Sequence, residues 1–387
     1  MKQFALFAFQ LATCLSLTAQ GFQDLNFGTD NTLEIVTWNI ERFPKNGATT
    51  IDYVTDIIET LDVDILAIQE VDEIDEFEQM VQSISGYEGY LDSVRFGGLA
   101  YIYKTSTIEI NFFFEIYTSS AFWNYFPRSP MVIDFNYLGE RYIVINNHLK
   151  CCGDGFLDIN DTSDEETRRY FANELLKDYV DTFYENDRVL IVGDLNDILI
   201  DPPQNNVFQM FFDDSENYLF SDFEIASGDS SNWSFPNWPS HLDHILISNE
   251  IFIEFDQSNS DIQTIKVDDY LPGGWPEYDS NVSDHRPVAI KLSNASLGQT
   301  DVKKLESYFS NYPNPLNSET IFAIHPKAEA SAIEIFNLQG QKIFTETIQT
   351  NQTQLLFNAD QLSNGIYIAN LLSGTKVLES RKLVVLK

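Results

Sequence analysis

Residues 188–197 read RVLIVGDLND: a basic residue, four aliphatic ones, a glycine, then Asp194, Leu195, Asn196 and Asp197. An aliphatic, β-branched run this short, closed by Gly193, is a buried strand, and the polar residues mark where it leaves the core. Side chains alternate along a strand, so Asp194 and Asn196 share a side. A carboxylate and an amide so placed can hold a metal or an attacking water with one and a phosphoryl oxygen with the other. The plainer reading of the same residues is an Asx turn capping a strand.

The pattern repeats outward from there. LEIVTWN (33–39), DILAIQE (64–70) and RYIVINNH (141–148) run into Asn39, Glu70 and His148, and NVSDHRPVAIKL (281–292) carries Asp284 and His285 just ahead of its apolar run. Any one of these residues could simply be the point where a strand reaches water; the set together reads as a metal-assisted phosphoryl-transfer site. Carboxylate and amide oxygens suit hard cations, and no cysteine–histidine quartet with structural-zinc spacing occurs, so Mg²⁺ is expected, or Mn²⁺ or Ca²⁺. A histidine acting on water needs a carboxylate on its other nitrogen to fix its tautomer. Asp284 is adjacent to His285 in the chain, where side chains diverge, so Asp243 in HLDHILIS (241–248) is the expected partner. Its flanking His241 and His244 are given no role. Arg128 in FPRSP is the preferred phosphate contact over Arg42 and Lys150.

Helical spacing at Ile51, Val54, Ile57, Ile58 and Leu61, and a shorter run at Phe77, Met80, Val81 and Ile84, predicts two amphipathic helices around the strand 64–69. Strand patterns then follow at 99–103, 107–116, 131–137 and 141–146 with no room for crossover helices. Ser163 and Glu166 form a capping-box pattern ahead of Phe171, Leu175, Leu176, Tyr179 and Phe183, predicting a longer helix before strand 189–192. Helices then meander, repeated in two halves, imply a mixed sheet in a layered α/β or α+β domain. The segment 293–311 is polar, and the prolines of NYPNP (311–315) mark a boundary. Beyond it, IEIFNL, KIFTETI, QLLFNA, GIYIANL and KLVVLK predict a small all-β sandwich without catalytic chemistry. The expected organisation is a signal peptide over 1–19, a catalytic domain over 30–293, a linker over 294–307 and the β-sandwich over 308–387.

Lys2 followed by the apolar stretch 4–17 has the form of a secretory signal, too short to span a bilayer; lipid attachment at Cys14 is disfavoured by Thr13. No later run is apolar enough to cross, so a soluble exported protein is expected, and a monomer. Once such a leader is removed the only cysteines are Cys151 and Cys152, which read equally as a vicinal disulfide or as two thiols in a glycine-rich turn. Residues 23–296 hold 14 basic and 51 acidic side chains whereas 297–387 hold eight of each, so the net charge of −36 belongs to the catalytic segment. A broad basic footprint for long nucleic acid is therefore missing, although salt would screen the repulsion.

In their order, TWNIERF, IQEV, NNHLK, GDLND, LDHILIS and SDHRPV resemble the deoxyribonuclease I-like endonuclease/exonuclease/phosphatase superfamily over roughly residues 33–292. The resemblance implies a four-layer α/β sandwich with two central mixed sheets and metal-assisted hydrolysis of phosphate esters. It makes Glu70 the principal metal ligand, with Asn39 and Asp284 beside it. Asp194 and Asn196 would orient the nucleophile and stabilise the pentacovalent phosphate, His285 would be the general base, Asp243 its orienting partner, and His148 a leaving-group or phosphate contact. The missing basic footprint and the CCGDG insertion after NNHLK depart from the nuclease pattern. The order NYPNP, IEIFNLQGQKIF, LSNGIYIANL is similar to the C-terminal sorting domain of the type IX secretion system, which implies that machinery as a partner and an extracellular or outer-surface location. The leading expectation is a secreted endonuclease on DNA or RNA. The alternatives are a sphingomyelinase-like or small-ester phosphodiesterase, for which 122–126 or 271–275 would be the membrane-facing aromatic loop, and a non-catalytic adhesin.

Overall fold

A computed structural model describes residues 22–92, 97–293 and 308–387, apart from 326–327, 329, 338–340, 350–351 and 375. The expected signal peptide, Cys14 and the linker lie outside these residues.

Twelve strands build the larger unit: β1 Thr32–Phe43, β2 Ile65–Val71, β3 Tyr87–Leu91, β4 Gly98–Lys104, β5 Ile108–Glu115, β6 Met131–Tyr137, β7 Glu140–His148, β8 Arg188–Asp194, β9 Tyr218–Phe220, β10 Asp243–Ser248, β11 Asp261–Thr264 and β12 Val288–Ser293. They form two six-stranded sheets, ordered β11-β12-β1-β2-β4-β3 and β5-β6-β7-β8-β10-β9. Each mixes one parallel pair, β1 with β2 and β7 with β8, among antiparallel neighbours. The expected meander is thus split: β4 lies in the first sheet between β2 and β3, and β5 is an edge strand of the second, because the apolar faces of both sheets must be buried against each other.

Between the sheets lies an apolar layer that includes Ile35, Ala67, Ile133, Val144, Leu190 and Ile245. The outer face of the first sheet is covered by helices α1 Ala48–Leu61 and α2 Ile74–Ser83, and that of the second by α3 Glu165–Phe183. Helix, sheet, sheet and helix make four layers, each helix contributing the stripe its periodicity predicts, at about 1.5–3 kcal/mol for each large side chain fully buried. The cap of α3 differs from expectation. Asp164, not Ser163, accepts the Thr167 amide at 2.8 Å, and Glu166 is drawn inward to Arg169 instead of closing a capping box.

Polar cross-links pin the sheets together where strands end. Gln69 Nε2 donates to Asn146 Oδ1 at 2.8 Å, and Asn146 Nδ2 donates to the Ile68 carbonyl at 2.9 Å. Gly193 permits β7 and β8 to approach there: its φ is +142°, and a Cβ would fall 1.9 Å from the Asn147 oxygen.

The C-terminal unit is all β. Strands β13 Phe309–Tyr312, β14 Glu319–Ile324 and β17 Gln354–Asn358 pair in one sheet, and β16 Lys342–Thr347, β15 Ala332–Asn337, β18 Gly365–Ser373 and β19 Lys376–Val385 in another, around a core that includes Phe322, Ile335 and Leu383. NYPNP lies within this unit, just after the expected linker: Asn311 and Tyr312 lie in β13 and Asn314 is buried with its amide on the Lys382 carbonyl.

Candidate active site

Strand register gathers the first residues. His148 pairs with Asp194 across β7 and β8, and Asp194 with Asp243 across β8 and β10, so three strand ends place two carboxylates and an imidazole in one row. Asp243 Oδ2 lies 2.7 Å from His285 Nδ1, and His285 Nε2 faces Asp194 Oδ2 at 3.7 Å. The His285 segment is held from behind: Trp38 Nε1 donates to the Tyr278 hydroxyl at 3.0 Å, which donates to the His285 carbonyl at 2.7 Å, and the His285 amide donates to Ser283 Oγ at 2.9 Å. The Phe235 ring forms a wall 4.8 Å from the imidazole.

From the first sheet come Asn39 and Glu70. Glu70 sits in a bulge of β2 with φ +65°, a left-handed turn of the backbone that aims its carboxylate across the sheet gap. Asn39 Nδ2 donates to Asp194 Oδ2 at 3.0 Å and to Glu70 Oε1 at 3.2 Å, while its Oδ1 accepts the Glu41 amide at 2.9 Å. Asn39, expected beside the metal as an oxygen ligand, thus turns a donor toward the pocket, and its oxygen is already engaged. His148 Nε2 lies 3.4 Å from Asp194 Oδ2 and 3.8 Å from Glu70 Oε1. Its buried Nδ1 has no hydrogen-bond partner among the described residues.

Asn196 shows the plainer of the two readings made of it. Its backbone is left-handed, with φ +56°, and its amide donates to Asp194 Oδ1 at 3.1 Å in an Asx turn, while Nδ2 reaches the Leu149 carbonyl at 3.2 Å. Asp284 Oδ1 stands 4.0 Å from His285 Nε2, closer than adjacent residues in the chain were expected to allow, because its amide is tied to Glu41 Oε2 at 2.9 Å. Arg128, half-buried, feels Glu70 and Asp194 first among the charges around it. Arg42 is a surface residue paired with Asp72 at 3.4 Å, and Lys150 turns back to the Cys151 carbonyl at 2.8 Å.

Electrostatics follow from crowding. Burial pushes the Asp194 carboxyl up to about 7 against the pull of His285, and Asp284 up to about 6 for the same reason. Burial opposes a charge on His285, but Asp243, then Asp194 and Asp284, overcome it and raise the imidazole to about 10. Burial drives His148 the other way, well below its usual value, helped by Arg128 and His285, so it is neutral. Asp194, Asp243 and His285 each bring a ligand atom within 4.8 Å of the others, but Asp243 and His285 already bind each other. Glu70 and Asp194 both meet the Asn39 amide, at 3.2 and 3.0 Å, and Asp194 and Asp284 both face His285 Nε2, at 3.7 and 4.0 Å. Hard oxygen donors crowded in this way with little positive charge among them are of the kind a divalent cation takes.

Residues 36–285 match the Endonuclease/Exonuclease/phosphatase family. The chain belongs to that family. Its members are in general metal-dependent phosphoester hydrolases. Residues 310–386 match the Secretion system C-terminal sorting domain, which indicates export to the outer surface or beyond. Among solved structures, D. rerio TDP2 complexed with a single-strand DNA product is similar at 12% identity and a TM-score of 0.52, covering 68% of this chain and 100% of that one. The human Nocturnin catalytic domain with bound sulfate is similar at 15% identity and a TM-score of 0.49, over 68% and 94%. No curated protein matches the chain. Among the described residues no helix is long and apolar enough to cross a membrane.

What the sequence did not reveal in this family member is the support. Glu41, Ser283, Tyr278 and Trp38 set the His285 segment, and Arg169 ties Asp197 at 2.8 Å to the Lys150 and Cys152 carbonyls, each at 2.7 Å. Buried charge on α3 was the available signal for Arg169. Cys151 and Cys152 are exposed free thiols 2.9 Å apart. Of the two aromatic loops, 122–126 buries Phe126 but leaves Trp123 exposed, and in 271–275 Leu271 is buried and Trp275 donates to Asn237 at 2.9 Å.

Proposed function

We propose that this protein is an exported, divalent-metal-dependent phosphodiesterase that hydrolyses nucleic acid, acting as an extracellular endonuclease. The observation that carries the reading is the Asp243–His285 pair at 2.7 Å, whose free Nε2 opens onto Asp194 and the Glu70–Asn39 group. Nothing in a purely adhesive role calls for an imidazole oriented by a buried carboxylate and aimed at a second one.

Asp243 holds His285 with Nδ1–H toward itself; with Asp194 and Asp284 neutralised by a cation, the imidazole comes down from about 10 and Nε2 is left to take the proton of an attacking water that Asp194 orients. A cation held by Glu70 and Asp284, Mg²⁺ in this reading, with Mn²⁺ or Ca²⁺ as substitutes, would offset charge developing on the phosphoryl oxygens. Asn196, with one Nδ2 hydrogen beyond that given to Leu149, donates to those oxygens, Asn39 keeps its two hydrogens on Asp194 and Glu70 and holds them in place, and Arg128 meets the phosphate as a cation. His148, neutral and buried, contributes a hydrogen bond to phosphate or to the departing oxygen. The acidic surface of the catalytic segment favours short or single-stranded substrate over long duplex, because few phosphates can be neutralised at once.

The test is incubation of full-length protein with plasmid DNA, RNA, sphingomyelin and bis(p-nitrophenyl) phosphate, each with Mg²⁺, Mn²⁺, Ca²⁺ or EDTA. Nucleic acid cleavage that EDTA abolishes supports the reading. Turnover of sphingomyelin alone would move the substrate to phospholipid head groups, and inertness toward every diester would overturn the enzyme.

A further inference from the structure

The loop after His148 runs through Cys151, Cys152, Gly153, Asp154 and Gly155 and returns at Asp164 to start α3. It is acidic well beyond what solubility asks, with Asp154, Asp158, Asp161, Asp164, Glu165 and Glu166 inside thirteen positions. Three of these converge: Asp154, Asp164 and Glu166 each bring a carboxylate oxygen within 4.8 Å of the others.

Glu166 distinguishes the group from a solvated acidic surface. Its side chain is only 3% exposed. Oε1 accepts the Gly155 amide at 2.8 Å and lies 3.3 Å from Arg169, but Oε2 is buried with no hydrogen-bond partner among the described residues. A buried carboxylate oxygen left without a partner is costly unless a cation completes it. The space beside it is reserved as well. Gly153 has φ +119°, and a Cβ there would fall 2.1 Å from Oε1 and 2.4 Å from Oε2.

Local positive charge does not suffice. Arg169 is shared, its Nε on Asp197 at 2.8 Å and its Nη1 on two carbonyls. Asp201 nearby is raised to about 6, by burial first and then by Asp197 and Glu166.

We propose that Asp154, Asp164 and Glu166 form a calcium site, distinct from the catalytic centre, that fastens the loop of residues 151–166 beside the active face. Oxygen-only donors on a loop, completed by water and main-chain carbonyls, suit the six to eight ligands and loose geometry of Ca²⁺ better than the strict octahedron of Mg²⁺. Through Arg169 the site braces the Lys150 and Cys152 carbonyls against Asp197, and so the turn that carries Asp194 and Asn196.

The inference stands apart from the phosphodiesterase reading, because its readout is binding and stability. Thermal unfolding of the full-length protein is followed in excess Mg²⁺ with Ca²⁺ titrated in, for the native chain, Asp154→Asn, Asp164→Asn and Glu70→Gln. Ca²⁺ at a hundred-fold excess over its Kd is expected to raise the native melting temperature by roughly 5–10 °C. Asp154→Asn, which alters only an exposed carboxylate, should fold normally and weaken the calcium response at least about ten-fold, and Glu70→Gln should keep it. No calcium-specific rise in the native chain, or a rise that Glu70→Gln removes and Asp154→Asn and Asp164→Asn retain, overturns the site.

Discussion

Two aspartate–histidine pairs hang on neighbouring residues of β10, and they have opposite fates. Asp243 points to one side of the strand and meets His285 at 2.7 Å; His244 points to the other and meets Asp222 at 2.6 Å. The acid–base chemistry is the same, and both histidines are raised in pKa by the partner carboxylate against the pull of burial. The difference is the second nitrogen. His285 Nε2 opens toward Asp194 and Asp284, whereas His244 Nε2 is capped by the Asp197 carbonyl at 2.8 Å. Asp222 also lies 3.1 Å from His241, whose Nδ1 accepts the Ser234 amide. A free nitrogen makes a base; a capped one makes a cross-link.

The largest expected effect is on the open pair. His285→Ala should lower kcat on bis(p-nitrophenyl) phosphate by about 10²–10⁴-fold, the usual worth of a positioned acid–base group, with an unchanged circular dichroism spectrum. Turnover within ten-fold of the native enzyme would place the base elsewhere.

On the closed pair the same substitution should strike stability. His244→Ala leaves Asp222 buried with a weakened partnership and frees the Asp197 carbonyl, at a cost of about 3–5 kcal/mol measured by urea unfolding. Activity should fall only as far as the Asp194–Asn196 turn loosens. If His244→Ala unfolds normally yet is inactive, the closed pair has a chemical role after all.

How far this contrast was legible in the sequence depended on where each partner sits. Asn39, Glu70, His148, Asp194 and Asp243 could be found because a polar residue at the end of an apolar run is conspicuous, and the sheet registers then bring them together. Asp222 could not, since it lies in an irregular segment after the three-residue strand β9 and meets β10 only through tertiary pairing. For the same reason the closed histidines were passed over. Glu70 was identified as a residue but its bulged, left-handed backbone was not, because local sequence carries no glycine to announce it. Periodicity implied only a layered domain with a mixed sheet, and the resemblance made it four layers, whereas the split of the meander between two sheets needed the packing of both apolar faces.

A smaller effect separates the pairs by pH. Metal-free His285 rises from 6.5 to about 10, so the folded state holds a proton that the unfolded chain releases in that window. Its stabilisation is complete below pH 6.5 and is lost as pH climbs through about 10. The melting temperature in EDTA should therefore fall from neutral pH to pH 10, less steeply in His285→Ala. Mg²⁺ should recover part of it by neutralising the carboxylates that hold the proton. A flat profile in EDTA would contradict the electrostatics of the open pair.

The smallest effect concerns the aromatic walls, which differ in the same sense as the nitrogens. Phe235 lies 4.8 Å from the His285 ring at 39°, in a loop that is only half-buried, whereas Phe208 is fully buried and meets His244 edge-on at 5.7 Å and 75°. A ring face near an imidazolium stabilises it by about 0.5–1 kcal/mol. Phe235→Leu should thus shift the acidic limb of the kcat profile down by a fraction of a pH unit and change kcat less than about five-fold, with stability nearly untouched. Phe208→Leu should do the reverse, costing about 1–2 kcal/mol of stability through lost packing while leaving the pH profile in place. The crossed outcome discriminates because each variant removes an aromatic ring beside an Asp–His pair, and only the pair that exchanges its proton with substrate can register the loss in kinetics. If both variants moved stability alone, His285 would be as closed in function as His244 is in geometry.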